Sequence, residues 1–409
     1  MKIAIIGGGA AGFFAAIAAA AHPGVQVVML ERGKSVLEKV RVSGGGRCNV
    51  THACFEARDL IQHYPRGSRE LLGPFLQFGP QDTVEWFARR GVRLKTEDDG
   101  RMFPVTDDSQ TIVSCLWDAA KKAGVQIRTG ARVENLEPRH GGWLLHLAGR
   151  ETLLADRVLV ASGSSPAVWD MLAGLGLQIV SPVPSLFTFN IKDPRLRELA
   201  GISVPEATLT IPGSKLTSQG PLLITHWGLS GPAILRLSAW GARELFRLDY
   251  RFPLVVNWLG EKPASAALAA LLELKQELAR KQLSSQAQFD LPARLWSRLL
   301  AAAGLPDGLR WADAGKLQLQ KLAAELAAGQ FAVHGKSTFK EEFVTAGGVA
   351  LAELNFKTFE SKRFPGLFFA GEVLDIDAIT GGFNFQAAWT GGWIAGSHMA
   401  GPLVMMNDE

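Results

Sequence analysis

The first 31 residues show a pattern of apolar and glycine-rich segments that fits a strand, a helix and a second strand. Residues 2–6 form a short apolar run, residues 10–21 are rich in alanine, and residues 25–30 form a second apolar run that ends at Glu31. Short apolar runs separated by a helical segment are typical of parallel strands buried in a sheet. The pattern predicts an α/β fold with a Rossmann-type domain at the start of the chain.

The same alternation continues further, and we assign residues 1–185 to the first part of this domain. Predicted helices cover residues 81–90 and 109–123. Predicted strands cover residues 92–96, 125–128, 131–136, 143–147, 152–154 and 157–161, and the fourth and fifth of these strands form a meander.

The pattern changes twice in the middle of the chain. Short strand-like runs separated by Pro and Gly predict a β-rich insertion at residues 186–260, and Leu and Ala at helical spacing predict a helical insertion at residues 261–344. Residues 345–409 return to α/β character and form the second part of the split domain. Across the insertion and the second part of the split domain, the predicted strands cover residues 207–211, 222–225, 254–258 and 366–370. The predicted helices cover residues 264–283, 292–303, 316–328 and 386–399.

The glycine-rich segment after the first strand points to a dinucleotide. Residues 7–12 read Gly-Gly-Gly-Ala-Ala-Gly, in which Gly7 permits a tight turn, Gly9 lets the backbone approach a pyrophosphate, and Gly12 lets the helix pack closely. The helix that begins near Ala10 presents its N-terminus to the phosphates. Glu31 can accept hydrogen bonds from a ribose hydroxyl, which favours FAD or NAD.

Bulk composition narrows the class of protein. Three cysteines in 409 residues exclude a disulfide scaffold and predict a cytoplasmic protein. The net charge of +4 is too small to argue for nucleic acid as a partner. We expect no membrane span. We also expect no metal site, because neither CxxC nor HxxxH occurs in the sequence. A signal peptide would also start with Lys2 and an apolar run, but three glycines interrupt the run and a second strand follows.

A second glycine-rich segment follows the second strand. Residues 43–49 read Ser-Gly-Gly-Gly-Arg-Cys-Asn. Gly45 and Gly46 lack a Cβ, so the backbone can approach a flat ring there. Arg47 is expected to pair with a phosphate.

Two later segments complete the pattern of a flavoprotein. Ser162 and Gly163 follow a predicted strand, at the edge where a parallel sheet meets its cofactor. Residues 368–372 read Phe-Phe-Ala-Gly-Glu, and residues 380–386 open the last helix. A helix N-terminus beside the pyrimidine end of a flavin stabilises the negative charge that develops on reduction. Together, and in this order, the four segments predict an FAD site.

At these residues the sequence resembles the YhiN/BaiN-type bacterial flavoproteins. The matching segments are spread over most of the chain and comprise residues 43–51, 100–104, 225–232, 345–349, 358–362, 369–375 and 381–384. The resemblance implies tightly held FAD and a β-barrel plus helical insertion within the FAD domain. It also implies an NAD(P)H-linked oxidoreductase activity, with an enoyl reduction described for the bile-acid branch. One departure is Gly163-Ser164-Ser165, where related flavoproteins have a Gly-Gly pair.

The resemblance also suggests which residues line the FAD site. By analogy these are Ala11, Gly12, Glu31, Arg32, Asn49, Val133, Glu372, Asn384 and Phe385. To them we add the motif residues Gly7, Gly9, Ala10, Gly45, Gly46, Arg47, Cys48, Ser162, Gly163, Gly371, Asp375, Gly382 and Phe383.

Candidate catalytic residues are less clearly marked. Cys48 and Cys54 are separated by five residues, whereas the cysteine pair of disulfide reductases is separated by four. The alternatives are a single reactive Cys48, with a pKa lowered by Arg47 and the loop amides, or a cysteine that packs against the cofactor. His226 is a candidate acid or base, or a residue that fixes the junction of the insertion. For Asp375 and Asp377 there are three alternatives: they act on the substrate, they bind the ribityl chain of the cofactor, or they are solvated.

These observations predict an FAD-dependent oxidoreductase. Hydride would pass from NAD(P)H through the flavin to an unsaturated or carbonyl-type small molecule. A second dinucleotide motif is absent, because residues 174–176 read Gly-Leu-Gly without the third glycine, so the nicotinamide donor would dock transiently. The alternatives are an FAD-dependent RNA-modifying enzyme and a non-enzymatic redox sensor or assembly factor. The sequence predicts no oligomeric state.

Overall fold

The computed structural model describes residues 1–337 and 344–401. The chain divides into two compact units. The first unit contains Met1–Val183 together with the residues from 340 onward, and the second unit runs from Pro184 to residue 339. The boundaries that we placed at residues 185, 260 and 344 remain predictions.

The strands and helices are numbered in chain order. The strands are β1 (Lys2–Ile6), β2 (Gln26–Leu30), β3 (Thr51–His52), β4 (Leu94–Thr96), β5 (Arg101–Pro104), β6 (Gln126–Arg128), β7 (Val133–Arg139), β8 (Gly142–Leu147), β9 (Thr152–Ala155), β10 (Arg157–Val160), β11 (Ile179–Ser185), β12 (Thr188–Ile191), β13 (Ser203–Thr210), β14 (Thr217–Ile224), β15 (Gly228–Ser230), β16 (Phe252–Asn257), β17 (Gly329–Ser337), β18 (Val344–Val349), β19 (Leu354–Asn355), β20 (Glu360–Ser361) and β21 (Leu367–Phe369). The helices are α1 (Ala10–Ala20), α2 (Glu38–Gly46), α3 (Ala57–Leu60), α4 (Ser68–Gln77), α5 (Pro80–Ala88), α6 (Ser109–Lys122), α7 (Pro166–Gly174), α8 (Pro232–Trp240), α9 (Ala242–Arg247), α10 (Ala264–Glu277), α11 (Ala293–Ala302), α12 (Lys316–Ala328) and α13 (Phe383–Met399).

The first unit is built on a seven-stranded sheet in the order β19-β20-β21-β10-β1-β2-β6. The five strands from β21 to β6 are parallel, and β19 and β20 form an antiparallel edge. In the central strands Ile5 pairs with Leu159 on one side and Met29 on the other, and all three side chains are buried. Such continuous apolar strands require both faces of the sheet to be covered. The predicted Rossmann-type α/β fold is confirmed.

Small residues bring α1 and α13 together. A Cβ on Gly392 would lie 2.4 Å from the carbonyl oxygen of Ala11, and a Cβ on Gly396 would lie 2.3 Å from that of Ala15. The two helix backbones are therefore in direct contact. This contact explains why α1 is rich in alanine and why α13 contains glycine within a helix, where it is otherwise unfavourable.

The second unit contains a closed barrel in the order β12-β15-β14-β13-β16-β17. Its interior and the helices α10, α11 and α12 share one apolar core, in which Trp258, Trp296 and Trp311 are almost fully buried. The predicted barrel-like insertion is confirmed.

The assignment of secondary structure within the insertion was wrong in two places. Strand β17 lies inside residues 261–344, which we predicted to be helical, and its side chains alternate between buried and exposed as in a half-buried strand. Helices α8 and α9 lie inside residues 186–260, which we predicted to be β-rich. Among the residues described by the structure, no helix is long and apolar enough to span a membrane.

Candidate cofactor site

Two glycines give the loop between β1 and α1 its shape. Gly7 has a φ of +112°, and a Cβ on it would lie 2.3 Å from the carbonyl oxygen of Ala161. A Cβ on Gly12 would lie 2.1 Å from the carbonyl oxygen of Gly7. Both contacts are with backbone that has no room to move, so glycine is required at both positions. The close packing of β1, α1 and β10 follows from these two residues.

Gly9 differs from these glycines because it borders open space. Its φ of −93° is accessible to any residue, and a Cβ there would meet no atom of the described residues within 4 Å. Gly9 directly precedes α1 and has no side chain to cap the first helical N–H groups, those of Ala10 and Ala11. Uncapped N–H groups at a helix N-terminus form a binding site for phosphate. This open cradle of donors fits the pyrophosphate of FAD.

The carboxylate of Glu31 organises the loops on either side of it. One oxygen accepts a hydrogen bond from the backbone N–H of Gly8 at 2.8 Å, and the other accepts one from Gly33 at 2.7 Å. A carboxylate offers about four acceptor positions, so Glu31 retains acceptors for ribose hydroxyls. The neighbouring Arg32 donates to the hydroxyl of Ser165 at 3.5 Å, so its guanidinium lies near the start of α7.

The second glycine segment lies at the end of α2. The helix is interrupted at Ser43, Gly44 and Gly45, and the φ angles of Gly44, Gly45 and Gly46 are +59°, +68° and +84°. Within the described part of the chain, a Cβ on Gly45 or Gly46 would meet no atom within 4 Å. This run of left-handed residues leaves backbone exposed to open space, as the approach of a flat ring requires.

Arg47 has carboxylate partners within the protein, and its pairing with a phosphate remains a prediction. Its guanidinium forms an ion pair with Glu97, at 2.6 Å, and lies 3.5 Å from a carboxylate oxygen of Asp107. It also lies over the ring of Phe103, 4.0 Å from the centroid. Arg47 is thus engaged by two carboxylates of the protein.

Of the alternatives for Cys48, its surroundings favour packing over a reactive thiol. The side chain is completely buried, and burial raises the pKa of its thiol to about 12. Because Arg47 is turned to Glu97, its charge does not offset this desolvation. Cys54 is partly exposed, and the pKa of its thiol is also raised, chiefly by burial. Both cysteines are free thiols, and the neutral Cys48 is suited to packing.

The carboxyl ends of β1, β10 and β21 meet at one edge of the sheet. Gly371, with a φ of +78°, follows β21 and lies against Ala11, since a Cβ on it would be 3.1 Å from the Ala11 Cβ. Glu372 lies close to Gly163 and forms an ion pair of 2.5 Å with Lys39 of α2. The structure therefore brings the predicted segments together at the edge where cofactors bind in such folds.

The start of α13 is a left-handed turn fixed by two asparagines. Gly381 and Gly382 have φ angles of +130° and +92°. With its amide oriented to satisfy its neighbours, Asn49 accepts a hydrogen bond from the N–H of Gly382 at 3.0 Å. Asn384 accepts from the N–H of Ala378 at 3.0 Å and donates to the carbonyl of the same residue at 3.2 Å. Both amides shape the loop, and their contact with FAD remains a prediction.

Four other predicted residues lie at different depths. Val133 is buried at the start of β7, and Ser162 follows β10 and is partly exposed. Asp375 is buried, and its backbone N–H donates to a carbonyl of β18. Phe385 is partly exposed and stacks on Trp389, with ring centroids 5.4 Å apart. Their contact with FAD also remains a prediction.

Asp377 is neither solvated nor available to a substrate. Its carboxylate is completely buried and accepts two hydrogen bonds from the guanidinium of Arg66. The sequence did not reveal this pair because its two members are 311 residues apart.

The sequence analysis missed a group of side chains beneath the start of α13. His52, His63 and Tyr64 contact Phe383, whose ring is buried. Gln386 accepts hydrogen bonds from two buried threonine hydroxyls. The only signal in the sequence was that His52 directly follows the segment 43–51.

His226 lies in the second unit, in the turn between β14 and β15. It is exposed, and its ring meets that of Trp227 edge-on with centroids 4.4 Å apart. Trp227 in turn donates to the hydroxyl of Thr188 at 3.0 Å. Both proposed roles of His226 remain predictions. In the described ranges no three His, Cys, Asp or Glu side chains are grouped as a metal would require.

Known proteins resemble this chain along nearly its full length. The model of the family described as HI0933-like protein Rossmann domain matches residues 1–398. A ribosomal RNA dihydrouridine synthase of Escherichia coli K12 is 30% identical over 401 residues, which cover 95% of each chain. A 3-dehydro-bile acid delta(4,6)-reductase of Clostridium scindens is 29% identical over 406 residues, covering 97% of this chain and 98% of its own.

Solved structures share the fold at low identity. A 3-ketosteroid-delta4-(5alpha)-dehydrogenase from Rhodococcus jostii has a TM-score of 0.53 and 16% identity, with 98% of this chain and 97% of its own covered. A flavocytochrome c3 fumarate reductase has a TM-score of 0.50 and 17% identity, with 98% and 78% covered. Together with the cradle at the sheet edge, the match over residues 1–398 shows that the chain belongs to the HI0933-like Rossmann family of FAD-binding oxidoreductases.

Proposed function

We propose that the protein is an FAD-dependent reductase that takes hydride from NAD(P)H and delivers it to a carbon–carbon double bond conjugated with a carbonyl group. The observation that carries the proposal is the open space beside the backbone of Gly9, Gly45 and Gly46 in a chain of this family. When bound, FAD supplies the hydride chemistry. The donor docks transiently, because the chain lacks a second glycine-rich dinucleotide motif.

The residues of the chain have three tasks in this proposal. The N-terminus of α1 binds the pyrophosphate, and Glu31 orients the adenosine ribose. The N-terminus of α13 stabilises the negative charge of the reduced ring. The left-handed glycines of α2 admit the ring without a clash with a Cβ.

The names of two relatives support the choice of acceptor. A dihydrouridine synthase and a delta(4,6)-reductase of a 3-dehydro compound both saturate a double bond that is conjugated with a carbonyl. A small molecule with an enone is our first candidate. A uridine in ribosomal RNA is the second, and it is favoured by the fact that relatives from two organisms carry that name. We also propose a cytoplasmic location, which the three free thiols support.

Anaerobic mixing with NADPH and then NADH tests the proposal. We expect one of the two to bleach the oxidised-flavin absorbance within a turnover time, and a steroid enone or uridine-containing ribosomal RNA to restore it. Product analysis, as saturated ketone or as dihydrouridine, decides between the acceptors. If neither nicotinamide bleaches a flavin that can still be photoreduced, the proposed donor is wrong, and a redox sensor or a substrate-driven dehydrogenase takes its place.

A further inference from the structure

The first turn of α13 is held in place by a buried hydroxyl group. Tyr64 is almost fully buried, and its hydroxyl donates to the backbone carbonyl of Phe383 at 2.6 Å. Phe383 is the first residue of the helix, and the Asn49 amide holds the N–H of Gly382 just before it. Hydrogen bonds from two side chains therefore fix the carbonyl and N–H groups on either side of the helix start.

Two imidazoles hold the ring of the same residue. The centroid of the Phe383 ring lies 4.2 Å from that of His63 and 4.6 Å from that of His52, with interplanar angles of 20° and 23°. The His52 Nε2 lies 3.0 Å from the carbonyl oxygen of Asp99, and burial lowers the pKa of the His52 imidazole. The lowered pKa favours the neutral imidazole, which suits stacking on an apolar ring.

A buried polar network fixes the next turn. The side-chain oxygen of Gln386 accepts hydrogen bonds from the hydroxyls of Thr51 at 2.6 Å and Thr83 at 3.0 Å, and its nitrogen donates to Thr390 at 3.1 Å. All four residues are completely buried. Such a network, with its members satisfied, holds one arrangement of the helix against β3 and α5.

The precision of this turn matters because the field of a helix terminus falls off within its first turn. The turn before α13 consists of Gly381 and Gly382, both left-handed, and glycines do not by themselves restrict the backbone. The contacts made by Tyr64, His52 and His63 supply the restriction that the glycines lack. A displacement of the helix terminus by about 1 Å is enough to weaken a preorganised electrostatic contact strongly.

We propose that Tyr64 is a positioning residue, whose hydroxyl holds the N-terminal turn of α13 where it stabilises the reduced flavin. The inference rests on the proposed function, because it takes α13 as the helix beside the flavin ring. In this role Tyr64 acts through the carbonyl of Phe383.

The test is the reduction equilibrium of the holoenzyme against a reference dye. The chain has two tyrosines, which gives a matched control. Tyr64→Phe removes one hydroxyl. Tyr250→Phe removes the other, which lies in the second unit and is buried without a hydrogen-bond partner among the residues that the structure describes. We expect Tyr64→Phe to retain FAD and to shift the equilibrium about tenfold towards the oxidised form, whereas Tyr250→Phe leaves it unchanged.

The outcomes separate this role from the proposed function. The dye equilibrium needs neither a nicotinamide nor an acceptor, so a shift in Tyr64→Phe supports the positioning role even if NAD(P)H fails as donor. An equilibrium equal to that of the wild type, with FAD retained, overturns the positioning role and leaves the reductase standing. If Tyr64→Phe folded but lost its FAD, the positioning role would be overturned, because a residue that only tunes a bound flavin through α13 leaves the cofactor in place.

Discussion

Gly9→Val is expected to weaken the binding of FAD by about 100-fold or more while leaving the fold of the cofactor-free protein intact. A Cβ at Gly9 meets no atom within 4 Å among the residues described, and the φ of −93° is accessible to valine. The Cβ of the added side chain is therefore accommodated, and the side chain takes up the space in front of α1. Displacing phosphate groups from charge-assisted N–H contacts costs about 3 kcal/mol, which is roughly 100-fold in affinity.

The measurement is the dissociation constant of FAD for the apoprotein, together with its unfolding by urea. Gly73→Val is the matched control, since Gly73 also meets no atom within 4 Å and lies in the exposed part of α4, away from the predicted cofactor segments. It should bind FAD as the wild type does. Gly12→Ala should instead fail to fold, because its Cβ would lie 2.1 Å from a carbonyl oxygen. Wild-type affinity in Gly9→Val would show that the pyrophosphate does not lie in this cradle.

Arg66→Met is expected to lower the free energy of unfolding by about 3–5 kcal/mol. The partner of Arg66 is Asp377, whose carboxylate is completely buried, and Arg66 itself is only 12% exposed. Methionine leaves the carboxylate in a site without its cation. Such an uncompensated charge is far more costly than the ion pair is favourable.

Urea denaturation at pH 7 measures this effect. The double variant Arg66→Met/Asp377→Leu should recover most of the loss, because it removes both charges. Arg89→Met, which breaks the exposed pair with Glu85 on α5, should cost less than about 1 kcal/mol. A loss below about 1 kcal/mol in Arg66→Met would contradict the structural role that we assign to the buried pair.

Local pattern was sufficient for the first βαβ unit. The strand, the glycine turn and the Ala-rich helix predicted for residues 2–30 are present as β1, α1 and β2. Their pattern is set by neighbours in sequence, since each element is short and almost wholly buried. The helix predicted at 264–283 was too long, because α10 ends at Glu277 and the chain turns there.

Strand β17 shows what a broad reading of composition misses. Its residues follow α12 directly, and the helical insertion that we predicted from the Leu/Ala-rich composition was drawn to residue 344, so that it included them. The alternation of the large apolar Phe331 and Val333 with Gln330 and Ala332 was nevertheless visible in the sequence. In the structure the first two side chains are buried and the other two are exposed. A period of two over this stretch is typical of a strand.

The roles of Arg47 and Cys48 could not be predicted from their own segment. Arg47 is paired with Glu97, which is 50 residues away and reaches it only through the fold of β4 and β5. Desolvation of the Cys48 thiol likewise depends on every element that packs over it. The roles of the glycines in the two loops could be predicted because they depend on the local backbone. The partners of a charged side chain and the burial of a thiol are set by tertiary contacts.

The most direct test of the account is the flavin content of the purified protein. The protein is denatured, and the released cofactor is identified by chromatography and quantified against the chain. We predict stoichiometric FAD, or its stoichiometric uptake when the apoprotein is incubated with FAD. A colourless protein that takes up no FAD under these conditions would contradict the central claim that this chain is an FAD-binding oxidoreductase.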